Sequence, residues 1–253
     1  MPIVFLSSVT IGEIRGRKKM KTVLLTGFEP FGGEKVNPSW LAVRRLHGRT
    51  LGGHRIVSRR LPTAYKESLE KLRRQLRRIR PALVICVGQA GGRAEVTPER
   101  VAINVDDSLI PDNAGWRPVD VSIIPGGPVA YWSTLPVKAI VRALRRRGVP
   151  ASVSSTAGTF VCNHVFYGLM NELAKNGNTV RGGFVHVPFL PRQAARSRDL
   201  PESDSPRSGR AKTAAPPSLP LAVIVRALTV AVGESLRDQS SAKRPLRSAG
   251  KRS

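Results

Sequence analysis

Two short apolar segments constrain the fold of this chain more than any other feature of its sequence. TVLLT at 22–26 and ALVICVG at 82–88 are continuous apolar runs that end at or beside a glycine. Runs of this length without polar alternation are typical of strands buried on both faces, and such strands belong to parallel sheets covered by helices. The chain is therefore predicted to be an α/β protein.

Helical patterns alternate with the strand patterns along the chain. Leu69, Leu72, Leu76 and Ile79 are spaced by three, four and three residues, which predicts a helix over 65–80. Further helices are predicted from Pro38 to about His47, over 136–147, from about 161 to 175 and over 221–236, and further strands over 151–154 and 183–189. This order predicts a single-domain open α/β/α sandwich with a mainly parallel twisted sheet, and a site at the carboxyl ends of its strands.

Three segments depart from this pattern. Residues 1–19 place a basic cluster after the apolar residues, the reverse of a secretory signal, so they are predicted to be a disordered leader or a start upstream of the true one at Met20. The folded domain is predicted to span 20–237, with a mobile excursion rich in Ser, Arg and Pro at 194–217. The basic tail 238–253 is predicted to be disordered. No apolar run approaches the roughly 20 residues of a membrane span, so no membrane partner is expected.

The net charge raises the question of an anionic partner. Lys and Arg number 42 and Asp and Glu 17, which gives +25, but the excess is spread along the chain and aromatic residues make up only 5%. Stacking platforms for single strands are therefore not expected. Arg73, Arg74, Arg77 and Arg78 lie on the polar side of the helix 65–80 and are interpreted as a solvated face, with nucleic-acid contact only adventitious. The chain also lacks the glycine-rich motifs that bind nucleotides after a first strand.

The two cysteines, Cys86 and Cys162, differ in their surroundings. Two cysteines cannot form a disulfide framework, which favours a reducing, cytoplasmic setting. Cys86 lies inside an apolar strand and is interpreted as an inert core thiol. Cys162 falls in the first turn of the helix 161–175, where free N–H groups and the positive helix end favour a thiolate. Cys162 is thus a candidate nucleophile, the alternative being a small buried apolar residue.

A nucleophilic cysteine needs a base, and the chain has four histidines. His47 and His54 flank a basic, glycine-rich turn and are interpreted as surface residues. His164 follows Cys162 by two residues on the same helix and so faces roughly the opposite way. His186 lies in the carboxyl-terminal half of the strand GFVHVPF and is the candidate base, although a core histidine bonded to backbone is the alternative.

An imidazole base is usually oriented by a carboxylate. Glu99, Asp106, Asp107 and Asp112 all lie in one loop-rich stretch after the strand 82–88. Residue type and position do not distinguish among them.

Four segments in a fixed order resemble pyroglutamyl-peptidase I, also called the pyrrolidone-carboxylate peptidase family. They are TGFEPFGGEKVNPSW (26–40), VGQAGGRAEVTPERVAINVDDSLIPDNAG (87–115), STAGTFVCNHVFY (155–167) and GFVHVPFLP (183–191). The resemblance covers roughly 20–193 and the terminal helix near 216–236.

The resemblance implies a cytosolic cysteine peptidase that removes N-terminal pyroglutamyl residues from peptides. It implies that Glu99, Cys162 and His186 are the catalytic residues, with no metal, no cofactor and a homo-oligomer, either a tetramer or a dimer. It also places substrate-binding residues at Phe28, Phe31, Asn37, Thr63, Gln89, Ile110, Phe160 and Val161. Among these, Asn37 and Gln89 are candidates for polar contacts, because a small uncharged lactam needs apolar walls and a few matched hydrogen bonds.

Two other functions are compatible with the same residues. The first is a related cysteine amidase or peptidase with the same triad and a different acyl pocket. The second is a basic nucleic-acid-binding protein on the same fold, which predicts RNA binding with a steep dependence on salt.

Overall fold

The computed structural model describes residues 20–199 and 215–241. Its helices and strands are, in chain order, β1 (Thr22–Phe28), α1 (Pro38–Arg44), β2 (Thr50–Leu51), β3 (His54–Leu61), α2 (Tyr65–Ile79), β4 (Leu83–Gln89), β5 (Thr97–Pro98), β6 (Val101–Ile103), β7 (Ala130–Trp132), α3 (Val137–Arg145), α4 (Val161–Lys175), β8 (Arg181–Val187), α5 (Pro191–Asp199) and α6 (Leu221–Ser241). The predicted leader 1–19, the stretch 200–214 of the predicted excursion, and the tail from 242 onward lie outside the described residues.

The larger sheet is mostly parallel, with short antiparallel strands at its two edges. Its order is β2-β3-β1-β4-β8-β5. β1 is parallel to β3 and β4, and β4 is parallel to β8, whereas β2 and β5 run antiparallel to their neighbours. β6 and β7 form a separate two-stranded antiparallel sheet. The predicted α/β class and mainly parallel sheet are confirmed.

Helices cover both faces of this sheet. Alternate residues of β1 point to opposite sides, so Val23 and Leu25 pack into one apolar cluster and Leu24 into the other. The first cluster lies under α1, α3 and α6, and the second lies under α2 and α4. The result is a three-layer α/β/α arrangement in which three inner strands are almost completely buried.

The structure corrects three sequence-based predictions. β3 was not predicted, yet it pairs with all of β1 in register from Arg55 to Leu61. The predicted strand 151–154 is reduced to two isolated bridges, from Ala151 to Val96 and from Ser154 to Glu99. The start of the predicted mobile excursion is helical, because α5 continues to Asp199.

The parallel strands bring their carboxyl ends to one edge of the sheet. Phe28 ends β1, Gln89 ends β4 and Val187 ends β8, directly after His186. The start of α1 lies at the same edge, where Asn37 caps the helix ahead of Pro38 as the sequence predicts. Within the described ranges, no helix has both the length and the apolar character needed to cross a bilayer.

Candidate active site

A pocket of ≈ 290 Å³ opens at the carboxyl ends of β1, β4 and β8. The predicted residues that line it are Phe28, Phe31, Asn37, Thr63, Gln89, Phe160, Val161, Cys162 and His186. Glu99 is fully buried behind His186. Ile110 is not brought to the pocket wall, and 38% of its surface is exposed.

Cys162 is the second residue of α4, so it lies in the first turn as predicted. The N–H groups of Val161 and Cys162 donate to no atom of the described residues, while those of Asn163 and His164 bond to the carbonyl of Phe160. The start of α4 therefore presents two free donors at the pocket, in the position where a helix end carries partial positive charge.

A glycine in β4 makes room for the sulfur of Cys162. A Cβ on Gly88 would lie 2.7 Å from Cys162 Sγ, closer than any van der Waals contact allows. Gly88 is also the register partner of His186 in the β4–β8 pairing. The sulfur thus lies against the strand pair that carries the imidazole.

His186 is oriented by Glu99. Its Nδ1 lies 2.7 Å from Glu99 Oε1, and the two side chains are 3% and 0% exposed. Glu99 follows β5, which pairs antiparallel with β8, and the Glu99 N–H bonds to the carbonyl of Phe184. With Nδ1 occupied, Nε2 is the nitrogen left for catalysis. No hydrogen bond joins it to Cys162 within the described part of the chain, and such contacts often tighten only when substrate binds.

Arg93, which sequence reasoning missed, holds the same carboxylate. Its Nη1 donates to Glu99 Oε1 and to Thr97 Oγ1, both at 2.6 Å, and its Nη2 donates to the carbonyl of Thr156 at 2.8 Å. Arg93 thereby ties Glu99 to the loop that leads into α4. Its sequence context, the glycine-rich segment GQAGGRAEV, offers no signal for this role.

Burial controls the protonation states of the proposed reacting groups. Burial alone raises the pKa of Glu99, but its hydrogen bond to His186 and the positive charge of Arg93 outweigh this and leave the pKa below its ordinary value. Burial lowers the pKa of His186 despite the opposing effect of Glu99. Burial and the charge of Glu99 raise the pKa of the Cys162 thiol well above its ordinary value. These shifts favour a thiol and a neutral imidazole at rest, and they oppose the thiolate that the helix end favours.

Aromatic rings form the walls of the pocket. The Phe31 and Phe160 rings lie 5.8 Å apart between centroids. The Phe160 and Tyr65 rings pack edge to face, with their centroids 5.5 Å apart. Phe28 is buried in the core and lies 6.2 Å from Phe184. The walls suit a small flat apolar group.

Asn37, one of the two predicted polar contacts, and the predicted pocket residue Thr63 already have hydrogen-bond partners in the protein. Asn37 Oδ1 accepts from the backbone N–H and the hydroxyl of Ser39, and its Nδ2 donates to the carbonyl of Glu29 at 3.0 Å. The Thr63 hydroxyl donates to the same carbonyl at 2.8 Å. These bonds shape the loop after β1.

The other acidic candidates have different partners. Asp106 lies 2.7 Å from His164 Nδ1, and both residues are buried on the side of α4 away from the pocket, as the spacing of His164 and Cys162 predicts. Asp112 accepts hydrogen bonds from the N–H groups of Tyr65, Ala114 and Trp116. The choice that the sequence left open is thus decided by geometry, because Glu99 is the candidate that contacts His186.

No cluster of three or more His, Cys, Asp or Glu residues suited to a metal ion occurs in the described ranges.

The chain is similar to proteins of known family. A family model described as pyroglutamyl peptidase matches residues 21–238. A pyrrolidone-carboxylate peptidase of Bacillus cytotoxicus is 59% identical over 182 residues, which cover 72% of this chain and 85% of that protein. One from Bacillus mycoides is 57% identical over 176 residues, covering 70% and 82%.

Solved structures agree with these sequence relatives. The crystal structure of pyroglutamyl peptidase I from Bacillus amyloliquefaciens matches with a TM-score of 0.76 and 49% identity, covering 85% of this chain and 95% of that one. A mutant pyrrolidone carboxyl peptidase from the hyperthermophile Pyrococcus furiosus matches with a TM-score of 0.79 and 38% identity, covering 86% and 99%.

Proposed function

The chain belongs to the pyroglutamyl peptidase family, and we propose that its hydrolysis of N-terminal pyroglutamyl residues proceeds through Cys162, His186 and Glu99. The observation that carries this proposal is the buried 2.7 Å contact between His186 and Glu99, beside the one cysteine that lines the pocket. A cysteine, an imidazole and an orienting carboxylate are the parts that thiol-based acyl transfer requires.

The first chemical step begins from the neutral pair. As Cys162 Sγ attacks the pyroglutamyl carbonyl carbon, its proton passes to His186 Nε2, and the carbonyl oxygen takes the negative charge. Glu99 accepts the Nδ1–H bond throughout, so it selects the reactive tautomer and stabilises the imidazolium. Burial raises the pKa of Glu99, but the hydrogen bond to His186 lowers it, and the charge of Arg93 adds to this lowering, so the carboxyl stays ionised for this role.

The free N–H groups at the start of α4 are the proposed receptors of the oxyanion. The donors of Val161 and Cys162 have no acceptor among the described residues. Fixed donors that face a developing negative charge need no reorganisation as that charge forms, which is the main source of their catalytic effect.

Product release completes the proposed cycle. The tetrahedral intermediate expels the peptide amine, which takes its proton from the His186 imidazolium, and a thioester remains on Cys162. Water then loses a proton to His186 Nε2 and attacks the thioester carbonyl. The products are free pyroglutamate and the restored thiol.

The acyl pocket is proposed to hold the lactam ring between apolar walls. Phe28, Phe31, Phe160 and Val161 supply these walls, and Thr63 and Asn37 hold the loop after β1, which carries Phe31. Ile110 is left out of the proposed pocket because it lies outside its lining.

The proposal also covers the cellular setting and the oligomeric state of the protein. We propose a cytoplasmic, reducing setting, which the free thiols of Cys86 and Cys162 support. We also propose a homo-oligomer, which is supported by exposed apolar side chains between residues 109 and 132.

The proposal is tested with a fluorogenic amide of pyroglutamate and the matching prolyl amide. Wild type should cleave the pyroglutamyl amide alone. Cys162→Ser should lower kcat/KM by roughly 10³-fold or more, because a hydroxyl is a far weaker nucleophile with the same base.

Cys86→Ser is the matched control, since it makes the same change in a buried strand, at a residue that does not line the pocket. It should keep kcat/KM within about twofold, in line with a core role. An equal loss from both variants would contradict the assignment of the nucleophile. Folded wild type that cleaves other acyl amides but not the pyroglutamyl amide would indicate a different acyl pocket.

A further inference from the structure

A buried glutamine on α5 contacts the floor of the pocket. Gln193 is 2% exposed. Its Nε2 donates to the carbonyl of Val36 at 3.2 Å and to Gln89 Oε1 at 3.1 Å, and its Oε1 accepts from the N–H of Leu190 at 3.1 Å. Neither the sequence patterns nor the proposed mechanism gives this residue a role.

The backbone around Gln193 determines which end of its amide faces Gln89. A carbonyl can only accept and an N–H can only donate. The Val36 carbonyl therefore requires the Nε2 end of Gln193, and the Leu190 N–H requires the Oε1 end. Because Nε2 also faces Gln89, the atom that Gln89 turns toward it must be the acceptor, Oε1.

The amide of Gln89 is thus held with its donor end free. Gln89 lines the pocket, and its Nε2 has no hydrogen-bond partner among the described residues. Some buried side-chain atoms have neither solvent contact nor a hydrogen-bond partner, and Gln89 Nε2 is not one of them. The Nε2 group is therefore an accessible donor whose polarity a second residue has already set.

We propose that Gln193 is a positioning residue that holds Gln89 as a hydrogen-bond donor to the ring carbonyl of the pyroglutamyl group. This inference rests on the proposed function. The ring carbonyl distinguishes pyroglutamate from proline and from a plain cyclopentane ring. A hydrogen-bond donor held facing this carbonyl favours the lactam. A Gln89 amide that was free to rotate would instead present its acceptor oxygen half of the time.

The experiment is a double-mutant cycle on Gln89→Met, Gln193→Met and the double variant. Methionine keeps the length of glutamine and removes its hydrogen bonds. The measured quantity is the ratio of kcat/KM for the pyroglutamyl amide to that for the cyclopentanecarbonyl amide of the same fluorogenic amine. This ratio cancels losses that affect both substrates equally.

Gln89→Met should lower this ratio by about tenfold, the effect of one neutral hydrogen bond. Gln193→Met should lower it by a comparable factor, and the double variant should match Gln89→Met, because Gln193 acts through Gln89. An unchanged ratio in Gln193→Met, or factors that multiply in the double variant, would overturn the inference.

Asn171→Met is the matched control. Asn171 is a buried amide on α4 that accepts a hydrogen bond from Tyr131 and does not line the pocket. Its substitution should lower the unfolding temperature without changing the substrate ratio. A wild type that fails to cleave the pyroglutamyl amide would overturn the proposed function and this inference together, whereas multiplicative factors in an active enzyme would overturn the inference alone.

Discussion

At the scale of single residues, the chemistry of the pocket centres on one carboxylate oxygen. Glu99 Oε1 is shared by His186 at 2.7 Å and Arg93 at 2.6 Å. Because they share this oxygen, Arg93 and His186 affect each other: the positive charge of Arg93 opposes protonation of His186 and lowers the His186 pKa. Burial is the main cause of the lowered His186 pKa, and the charge of Arg93 adds to it; both favour the neutral imidazole, which can accept a proton.

We predict that Arg93→Met moves the acid limb of the pH profile to higher pH. In wild type this limb should lie below pH 6.5, since the His186 pKa is lowered from that value. Without the guanidinium the His186 pKa rises, so activity should begin to fall at a higher pH as the solution is acidified. The measurement is kcat/KM for the pyroglutamyl amide against pH, which reports the free enzyme.

Arg100→Met is the control for this prediction. It removes the same charge one residue from Glu99, on a side chain that does not line the pocket. Its acid limb should stay with that of wild type. A limb that moves to lower pH in Arg93→Met, or moves equally in both variants, would contradict the role given to Arg93.

At the scale of secondary-structure elements, the approach of α4 to β4 places the sulfur of Cys162, the proposed nucleophile. This approach depends on Gly88, because a Cβ there would lie 2.7 Å from Cys162 Sγ and 2.8 Å from Phe184 Cζ. A side chain at this position must displace the sulfur or the ring beside it. The identity of one strand residue thus controls the position of a reactive atom on a helix.

We predict that Gly88→Ala lowers kcat/KM by about 10²-fold, the order of loss that a displacement near 1 Å can cause. Circular dichroism and thermal unfolding should show that the variant still folds. Gly233→Ala is the control, since no heavy atom lies within 4 Å of the added Cβ on α6. It should retain full activity and gain about 0.5–1 kcal/mol of stability from helix propensity. Full activity in Gly88→Ala would show that Cys162 is not held against β4.

At the scale of the whole molecule, apolar exposure is concentrated in one segment. Leu109, Val119, Val129 and Trp132 are 93%, 65%, 87% and 69% exposed. Exposed apolar groups that cluster in this way commonly mark contact surfaces. Their position supports the proposed homo-oligomer and lies apart from the residues that line the pocket.

We predict that the double variant Val129→Ser with Trp132→Ser shifts the protein toward the monomer, because it removes two large apolar side chains from the proposed contact. Sedimentation equilibrium at micromolar concentration measures the mass. Met20→Ser, which alters an exposed apolar residue outside this segment, should leave the mass unchanged. A monomeric wild type, or a double variant with the mass of wild type, would contradict the proposal.

Local patterns in the sequence were enough to predict several helices and strands. β1 and β4 are continuous apolar runs, and α2 and α4 have helical spacing, so all four were predicted within a few residues. β3 was missed because Arg55, Arg59 and Arg60 interrupt its apolar pattern, although Ile56, Ser58 and Leu61 are buried. Local pattern therefore identified the strands with two apolar faces and failed for a strand with one partly exposed face.

Contacts between side chains that are distant in sequence depend on the folded arrangement of strands and helices. Glu99 and His186 are 87 residues apart, and Gln193 and Gln89 are 104 residues apart. No local propensity specifies such contacts, because they arise when strand pairing and helix packing fix the backbone in space. The same packing also acts on the Cys162 thiol, because its burial raises the thiol pKa and opposes the ionisation that the helix end favours. Residue type and spacing identified Cys162 and His186 as candidates. The contacts of Glu99, Arg93 and Gln193 with the pocket residues became visible only in the folded structure.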